Sequence, residues 1–161
     1  MLKRHHVYLI AVFLYATFIF YLSSIPNPPS PVSYGLMRQI YHFLSRVGLG
    51  FLAYPFYLYI LFPDKFIHFF LYLGFGTILN LAIKSYRSGF LASASLSLFL
   101  GSVYAASDEI HQIFTPFRSA SLSDFFADFL GILFAQVLML TAYRISDLIK
   151  IKRKKVGIEK S

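Results

Sequence analysis

Four long apolar runs constrain this chain more than any other feature of its sequence. An α-helix needs about 20 apolar residues to cross a bilayer, and four stretches meet or approach that length. Only 14% of the residues are charged and 57% are hydrophobic, whereas charged residues make up about a quarter of a typical soluble domain. We therefore predict an all-α integral membrane protein, a single-domain bundle of four transmembrane helices. The predicted spans cover residues 7–23, 66–83, 89–114 and 124–143.

The region between the first two spans is predicted to be helical without crossing the membrane. Four prolines between Ser23 and Pro31 end the first helix, because proline removes a backbone donor and fixes φ. Residues 34–46 place their apolar side chains near one helical face, which suits a helix lying in the membrane interface. Residues 47–62 are apolar, but 16 residues interrupted by two glycines and a proline are short for a span. We predict an interfacial or re-entrant segment over 34–62, with a fifth span as the alternative.

The first span begins directly after a short basic run. A secretory signal peptide shares this order of charged and apolar residues. The apolar run over 7–22 is long for such a peptide, and we find no small-x-small cleavage site before Ile25. We therefore predict a retained transmembrane helix.

Two local patterns describe how the fourth helix begins and packs. Ser121-Leu-Ser-Asp124 is similar to a capping box, in which a serine and an acidic residue satisfy the first free backbone donors. Gly131 and Ala135 are four residues apart and offer a small contact face to a neighbouring helix. The sequence thus predicts a helix start near Asp124 and a close helix–helix contact beyond it.

The distribution of basic residues predicts the orientation of the bundle. The net charge of +8 would suggest nucleic acid binding in a soluble protein, but here it lies mostly at the chain ends and in one loop, and we predict no nucleic acid partner. With four spans, one side receives eleven basic residues and the other four. The positive-inside rule then puts both termini, with the basic tail over 144–161, in the cytoplasm. A fifth span gives the same counts. In both cases the loops before the second span and between the third and fourth spans are extracytoplasmic.

Five of the seven acidic residues lie beside these two loops. Ionisable groups in or next to a span cost several kcal/mol, about 2.5–3.5 each on insertion scales, and are therefore functional candidates. Three predicted helices each carry two polar residues four positions apart, which puts each pair on one helical face. Tyr72 lies one turn deeper than the first pair. The pairs are Asp64 and His68, Asp108 and Gln112, and Asp124 and Asp128.

These pairs predict a convergent polar pocket whose chemistry is open to several interpretations. In the first, the pocket is a hydrolytic or transfer site for a lipid headgroup or a lipid-linked cell-wall precursor. His68, oriented by Asp64, would act as general base or acid, and Arg118 would bind a phosphate or carboxylate with both arms of its guanidinium. The candidate catalytic residues are His68, Asp64, Asp108, Glu109 and Asp124, and the candidate substrate-binding residues are Arg118, Gln112, Tyr72 and Asp128.

Other interpretations of the same residues remain open. The carboxylates could bind a divalent cation, because hard oxygen ligands suit Ca²⁺, Mg²⁺ or Mn²⁺ and a histidine would admit Zn²⁺. The polar pairs could instead lock the helix packing of a non-catalytic scaffold or partner-binding protein. A proton path is disfavoured because the rest of each span holds almost no ionisable residue, and the absence of cysteine excludes thiolate chemistry. The candidate metal ligands are Asp108, Glu109, Asp124 and Asp128.

The same residues carry a resemblance to a known family. Asp64-Lys-x-x-His68, Asp108-Glu-x-x-Gln112, Pro116-x-Arg118 and Asp124-x-x-x-Asp128-x-x-Gly131 resemble, in order and spacing, the signature blocks of the VanZ-like family of small bacterial membrane proteins. The resemblance extends from about Asp64 to Gln136. Two positions depart from it: the family usually has Asn where this chain has Asp128, and Gly where it has Phe117.

The resemblance implies a multi-pass protein of the bacterial cell membrane. The family takes its name from a protein associated with resistance to glycopeptide antibiotics, in particular teicoplanin. Together with the orientation, this leads us to expect a cell-envelope function at the outer leaflet, acting on or binding a polar lipid or a lipid-linked cell-wall precursor. The alternative is the scaffold whose polar residues lock its packing.

Overall fold

The computed structural model describes residues 3–26, 33–86 and 89–158, with side chains described as far as residue 153. Within these ranges the chain forms six α-helices and no strand. Four of them, α1, α4, α5 and α6, are long and apolar enough to cross a membrane, which confirms the predicted all-α membrane fold. The helices are α1 (Arg4–Ser23), α2 (Tyr34–Arg46), α3 (Gly50–Leu61), α4 (Pro63–Lys84), α5 (Phe90–Gln112) and α6 (Leu122–Ile158).

The two short helices occupy the segment predicted to lie between the first two spans. Helix α2 has the predicted bounds and ends in a Schellman motif, where Leu49 N–H donates to Leu44 O at 2.9 Å and Gly48 N–H to Ser45 O at 3.4 Å. Gly48 adopts φ +79°, a conformation that a residue without Cβ reaches at no steric cost. Helix α3 has 12 residues and is about 18 Å long, so its length does not support a fifth span across a core of about 30 Å. Most of the proline-rich stretch, residues 27–32, lies outside the described residues.

Helices α4 and α6 form the closest pair in the bundle. Gly131 faces the backbone of α4 so closely that a Cβ there would overlap the Phe69 carbonyl oxygen, and Ala135 lies fully buried next to Gly76. The predicted small contact face on the fourth helix is therefore confirmed. Helices α1 and α5 pack around α4 with a shared core of buried side chains. That core contains Ile19, Tyr72, Phe75, Leu79, Ala105 and Ile132.

A network of amide side chains joins α4 and α6 far from the predicted pocket. Asn80 Nδ2 donates to Gln136 Oε1 at 2.7 Å, and Tyr143 OH donates to Asn80 Oδ1 at 3.4 Å. Gln136 Nε2 in turn donates to the Gly76 and Ile132 carbonyl oxygens. Each amide group of this amide network therefore has hydrogen-bond partners inside the protein.

Helix α6 extends well past the predicted end of the fourth span near residue 143. It continues without a break through the basic tail to Ile158. The tail is rich in Lys and Arg, which propagate a helix well, and has no glycine before Gly157. Lys150 also lies 3.6 Å from Asp147, one turn away. The described part of the tail, as far as Ile158, is therefore helical.

Candidate functional site

One end of the bundle collects the polar residues that the sequence singles out. The carboxyl ends of α1 and α5 meet there with the amino ends of α4 and α6. Among the described residues, four carboxylates and one histidine at this end are at least nine-tenths buried, and we call these five side chains the carboxylate cluster. They are His68, Asp108, Glu109, Asp124 and Asp128.

His68 and Asp128 form the central ion pair of the carboxylate cluster. The Nδ1 atom of His68 lies 2.8 Å from Asp128 Oδ1, and Asp128 is fully buried. Asp64, predicted to orient the imidazole, does not do so; its carboxylate is 60% exposed and lies 3.5 Å from Lys65 Nζ. The i, i+4 spacing correctly placed Asp64 on the same helical face as His68. The hydrogen bond to the imidazole is nevertheless made by Asp128, the fully buried carboxylate on α6. An ionised Asp128 only accepts hydrogen bonds, so Nδ1 carries the proton and Nε2 is the nitrogen left for other partners.

Asp108 ties α5 to the end of α1. Ser23 Oγ donates to Asp108 Oδ2 at 2.8 Å, and Gln112 Nε2 donates to the same oxygen at 3.3 Å. The predicted Asp108–Gln112 pair is thus confirmed as a contact on one helical face. The second oxygen, Asp108 Oδ1, is buried without a hydrogen bond to any described residue, as is the hydroxyl of Tyr72. These two side chains lie beside each other.

Glu109, on α5, accepts a hydrogen bond from the first residue of the cap of α6. Ser121 is the N-cap residue, as its spacing to Asp124 predicts, and its Oγ accepts from the Asp124 N–H at 3.4 Å. In a capping box the acidic residue three positions on would accept from the N-cap N–H. Here Glu109 Oε2 accepts from the Ser121 N–H at 2.7 Å instead. Asp124 is consequently free to face α4.

Lys65 supplies the cation that Asp124 faces. Its Nζ lies 2.5 Å from Asp124 Oδ1 and 3.5 Å from Asp64 Oδ2, and the side chain is 36% exposed. The ammonium therefore sits between one buried and one exposed carboxylate at the mouth of the carboxylate cluster.

Arg118 is bound mainly to the end of α1. Its Nε donates to the Ile25 carbonyl oxygen at 3.3 Å, and its Nη2 donates to that of Leu22 at 3.2 Å. Carbonyls in the last turn of a helix lack intrahelical donors, and an arginine there satisfies them and complements the helix dipole. The bidentate substrate role predicted for Arg118 stays a prediction. In this structure two of its donor groups hold α1 against the α5–α6 loop.

A polar cavity of about 390 Å³ opens over this end of the bundle. Its walls combine two cationic side chains, two carboxylates, an amide and two serines, together with the exposed aromatic ring of Phe117. The lining residues are Asp64, Lys65, Gln112, Phe117, Arg118, Ser119, Ser121 and Asp124. Such a wall can meet an anionic group and hydroxyl groups at the same time.

An apolar groove of about 600 Å³ runs along the side of the bundle next to the polar cavity. It lies between α3, α4 and α6, and Lys65 belongs to the walls of both spaces. Every other residue of the groove is apolar. The groove is lined by Pro55, Leu58, Phe62, Lys65, Phe66, Phe69, Phe70, Ala127, Leu130 and Phe134.

Within the part of the chain that the structure describes, two groups of side chains are close enough to share a metal ion, and both contain His68. In each, one ligand atom per residue lies within 4.8 Å of the others. The predicted set of four carboxylates is not the one brought together, because α4 inserts His68 among the carboxylates and Asp108 is held by Ser23. The outer group is Asp64, His68 and Asp124, and the inner group is His68, Glu109 and Asp128.

Sequence reasoning missed Ser23 as a member of this site. It is 6% exposed and hydrogen-bonded to Asp108, yet it belongs to a stretch noticed only for its prolines. The available signal was its position at the end of the first span, on the same side as the acidic residues. Glu109 accepts from Gln112 Nε2 at 3.4 Å and from the Ser121 N–H, and Arg118 donates to backbone carbonyl oxygens. No side-chain pattern could have indicated the backbone partners.

Comparison with known protein families gives a match over most of the chain. A family model described as VanZ/LLP1 matches residues 6–144, which is most of the chain. No curated protein and no solved structure matches.

Proposed function

This chain belongs to the VanZ/LLP1 family, and from that premise we propose that it binds a polar lipid, with the headgroup in the polar cavity and a hydrocarbon chain in the apolar groove. The lipid is a phospholipid or a lipid-linked cell-envelope precursor. The positive-inside count supports binding from the extracytoplasmic leaflet. This proposal extends the family assignment to a ligand.

The observation that carries the proposal is the junction of the two spaces at Lys65. A ligand that fills both must join a polar group to a long apolar one, which is the build of a membrane lipid. The groove is also flanked by α4 and α6, two helices long enough to cross a membrane. Lysines in such positions extend their apolar stems along hydrocarbon while the ammonium stays at the polar boundary.

The walls of the cavity combine cations with carboxylates, which suits a headgroup that carries both an anionic group and hydroxyl or amine groups. Lys65 and Arg118 offer positive charge for a phosphate. Asp64 and Asp124 can accept hydrogen bonds from groups next to that phosphate, and the two serine hydroxyls can accept or donate. With an uncharged lipid, the Lys65 ammonium would have only the carboxylates of Asp64 and Asp124 as ionic partners.

The enzymatic form of the proposal uses His68. One ring nitrogen of His68 lies within 4.8 Å of a carboxylate oxygen of Asp64 and of Asp124, which line the cavity. With Nδ1 on Asp128, Nε2 would take a proton from, or give one to, a headgroup oxygen. Changing or sequestering a cell-wall precursor in this way would offer a route to glycopeptide resistance.

A scaffold function is the second candidate, and the inter-helix contacts favour it. Three hydrogen bonds connect α1, α4, α5 and α6 at one end of the bundle. They join Ser23 to Asp108, Ser121 to Glu109, and His68 to Asp128. If locking the packing is their only role, stability and function should fall together.

The deciding experiment measures lipid retention by native mass spectrometry of the purified protein. Phosphatidylglycerol and uncharged diacylglycerol with the same acyl chains are added separately. We expect phosphatidylglycerol to bind at least tenfold more tightly, and Lys65→Met to remove that preference because it keeps the apolar stem and loses the charge. Lys150→Met is the matched control, since Lys150 is exposed on the tail of α6.

Equal retention of the two lipids by the wild type would reject the binding proposal. A Lys65→Met protein that loses lipid and melts at a much lower temperature than the wild type would favour the scaffold. For the reaction, His68→Gln expressed in a teicoplanin-susceptible bacterium tests whether any resistance conferred by the wild type needs the imidazole.

A further inference from the structure

The inner group at the centre of the carboxylate cluster has more acceptor capacity than the protein satisfies. We propose that His68, Glu109 and Asp128 bind one divalent first-row transition-metal ion, of the Zn²⁺ or Mn²⁺ type, which displaces the proton from His68 Nδ1, the nitrogen that faces Asp128. The proposal stands on these three side chains and does not rest on lipid binding.

The geometry meets the first requirement of a metal site. The three side chains come from three helices, α4, α5 and α6, and one ligand atom of each lies within 4.8 Å of the others. Their exposed fractions are 8%, 6% and 0%. A site assembled from different helices and closed from solvent holds its ligands in place before the ion arrives, which reduces the ordering entropy of binding.

An unsatisfied atom indicates that something fills this place. Asp128 Oδ1 is hydrogen-bonded to His68 Nδ1. Asp128 Oδ2 is buried and has no hydrogen-bond partner among the described residues. Leaving a buried acceptor unpaired costs about 1–3 kcal/mol, and more when it is charged. Since buried polar groups are satisfied in nearly all native proteins, a ligand at Oδ2 is the expected completion of the site.

The charge balance favours a cation over a water molecule at this position. Lys65 is engaged by Asp124 and Asp64, and Arg118 donates to carbonyl oxygens of α1 and the residues after it. Among the described residues, His68 is the remaining positively chargeable group facing Glu109 and Asp128. A water would satisfy Oδ2 but leave this excess of negative charge, whereas a divalent ion meets both needs.

The ligand types select the class of ion. One imidazole nitrogen with two carboxylate oxygens is a mixed set, which suits Zn²⁺ and Mn²⁺ better than Ca²⁺ or Mg²⁺, because the latter prefer oxygen alone. The Irving–Williams order places Zn²⁺ above Mn²⁺ in affinity. Glu109 is oriented for this role by the Ser121 N–H at 2.7 Å, as metal-binding carboxylates usually are by neighbouring donors.

The test uses the full-length protein in detergent, without added lipid. The protein is treated with a chelator, desalted and titrated with ZnCl₂ or MnCl₂, and bound metal is counted by elemental mass spectrometry after a second desalting. Binding of Mn²⁺ is followed independently by the loss of the free-ion electron paramagnetic resonance signal. We expect one ion per chain, with Zn²⁺ displacing Mn²⁺.

Variants then locate the ion. Glu109→Gln and Asp128→Asn should each weaken binding at least tenfold. Asp64→Asn, which alters only the outer group, should bind within threefold of the wild type. If the Asp128→Asn protein loses its helical circular dichroism, metal binding by Glu109→Gln and the number of ions bound by the wild type still test the proposed site.

Two results would overturn the proposal. One is a wild-type protein that binds neither ion stoichiometrically, which assigns Asp128 Oδ2 to water. The other is loss of binding in Asp64→Asn with retention in Glu109→Gln, which moves the ion to the outer group. Since no lipid takes part, either result leaves the lipid proposal to its own experiment.

Discussion

The helix pair α4–α6 carries two buried polar regions that differ in one respect. In the amide network, Asn80, Gln136 and Tyr143 satisfy one another and two backbone carbonyls. In the carboxylate cluster, Asp108 and Asp128 each keep an oxygen without a hydrogen bond to any described residue. Neutral amides can close a network among themselves because each is both donor and acceptor, whereas ionised carboxylates only accept.

This difference separates a structural region from a candidate functional one. A closed network specifies which helix faces meet and offers nothing to a ligand. An acceptor-rich cluster next to a cavity destabilises the free protein and leaves binding capacity at the same atoms. The two regions therefore predict opposite responses to substitution.

The largest effect is expected from breaking the amide network. Asn80→Leu removes the donor to Gln136 Oε1 and leaves that oxygen buried and unpaired, so we expect the free energy of unfolding to fall by about 1–3 kcal/mol. Thermal unfolding in detergent, followed by far-UV circular dichroism, measures this loss. Thr141→Val is the control, because Thr141 is exposed and bonds only its own helix; it should change stability by less than about 0.5 kcal/mol. A comparable loss in both variants would show that the amide network has no special role.

A smaller effect of opposite sign is expected in the carboxylate cluster. Asp108→Asn keeps an oxygen for the Ser23 hydroxyl, removes a buried charge and places a donor beside the Tyr72 hydroxyl. We expect the protein to gain up to about 1 kcal/mol, in line with the removal of other uncompensated buried charges. The same unfolding measurement applies, with Asp147→Asn on the exposed tail as the matched change of charge. A loss of more than about 1 kcal/mol would make the carboxylate cluster as structural as the amide network.

The smallest effect is expected in the loop that covers the carboxylate cluster. Phe117 adopts φ +62° and is 91% exposed, so it bears left-handed strain of about 1–2 kcal/mol without burying its ring. Phe117→Gly relieves this strain but adds backbone entropy of about 0.5–1 kcal/mol to the unfolded chain, for a net gain below about 1 kcal/mol. Gly48→Ala at φ +79° is the reverse test and should lower stability. If Phe117→Gly instead lowers the melting temperature, the ring is held by contacts that its exposure does not reveal.

The sequence by itself determined the helices and the end of the bundle where the polar residues meet. Apolar runs set the four long helices, because the hydrophobic length and the absence of helix breakers are local properties. The i, i+4 spacing set which residues share a face, and the motif blocks indicated the family. The cap at Ser121 and the contact at Gly131 could also be predicted from the sequence, since each depends on a few adjacent residues.

Only the tertiary structure decided which groups on facing helices become partners. Asp128, and not Asp64, is hydrogen-bonded to His68 Nδ1. Glu109, and not Asp124, accepts from the N-cap N–H of α6. Ser23 donates to Asp108, which is 85 residues away in the chain. These choices depend on how far each helix is rotated and shifted along its neighbours, to within about one residue. Close packing of small residues between α4 and α6 fixes that rotation, and sequence spacing along a single helix contains no information about it.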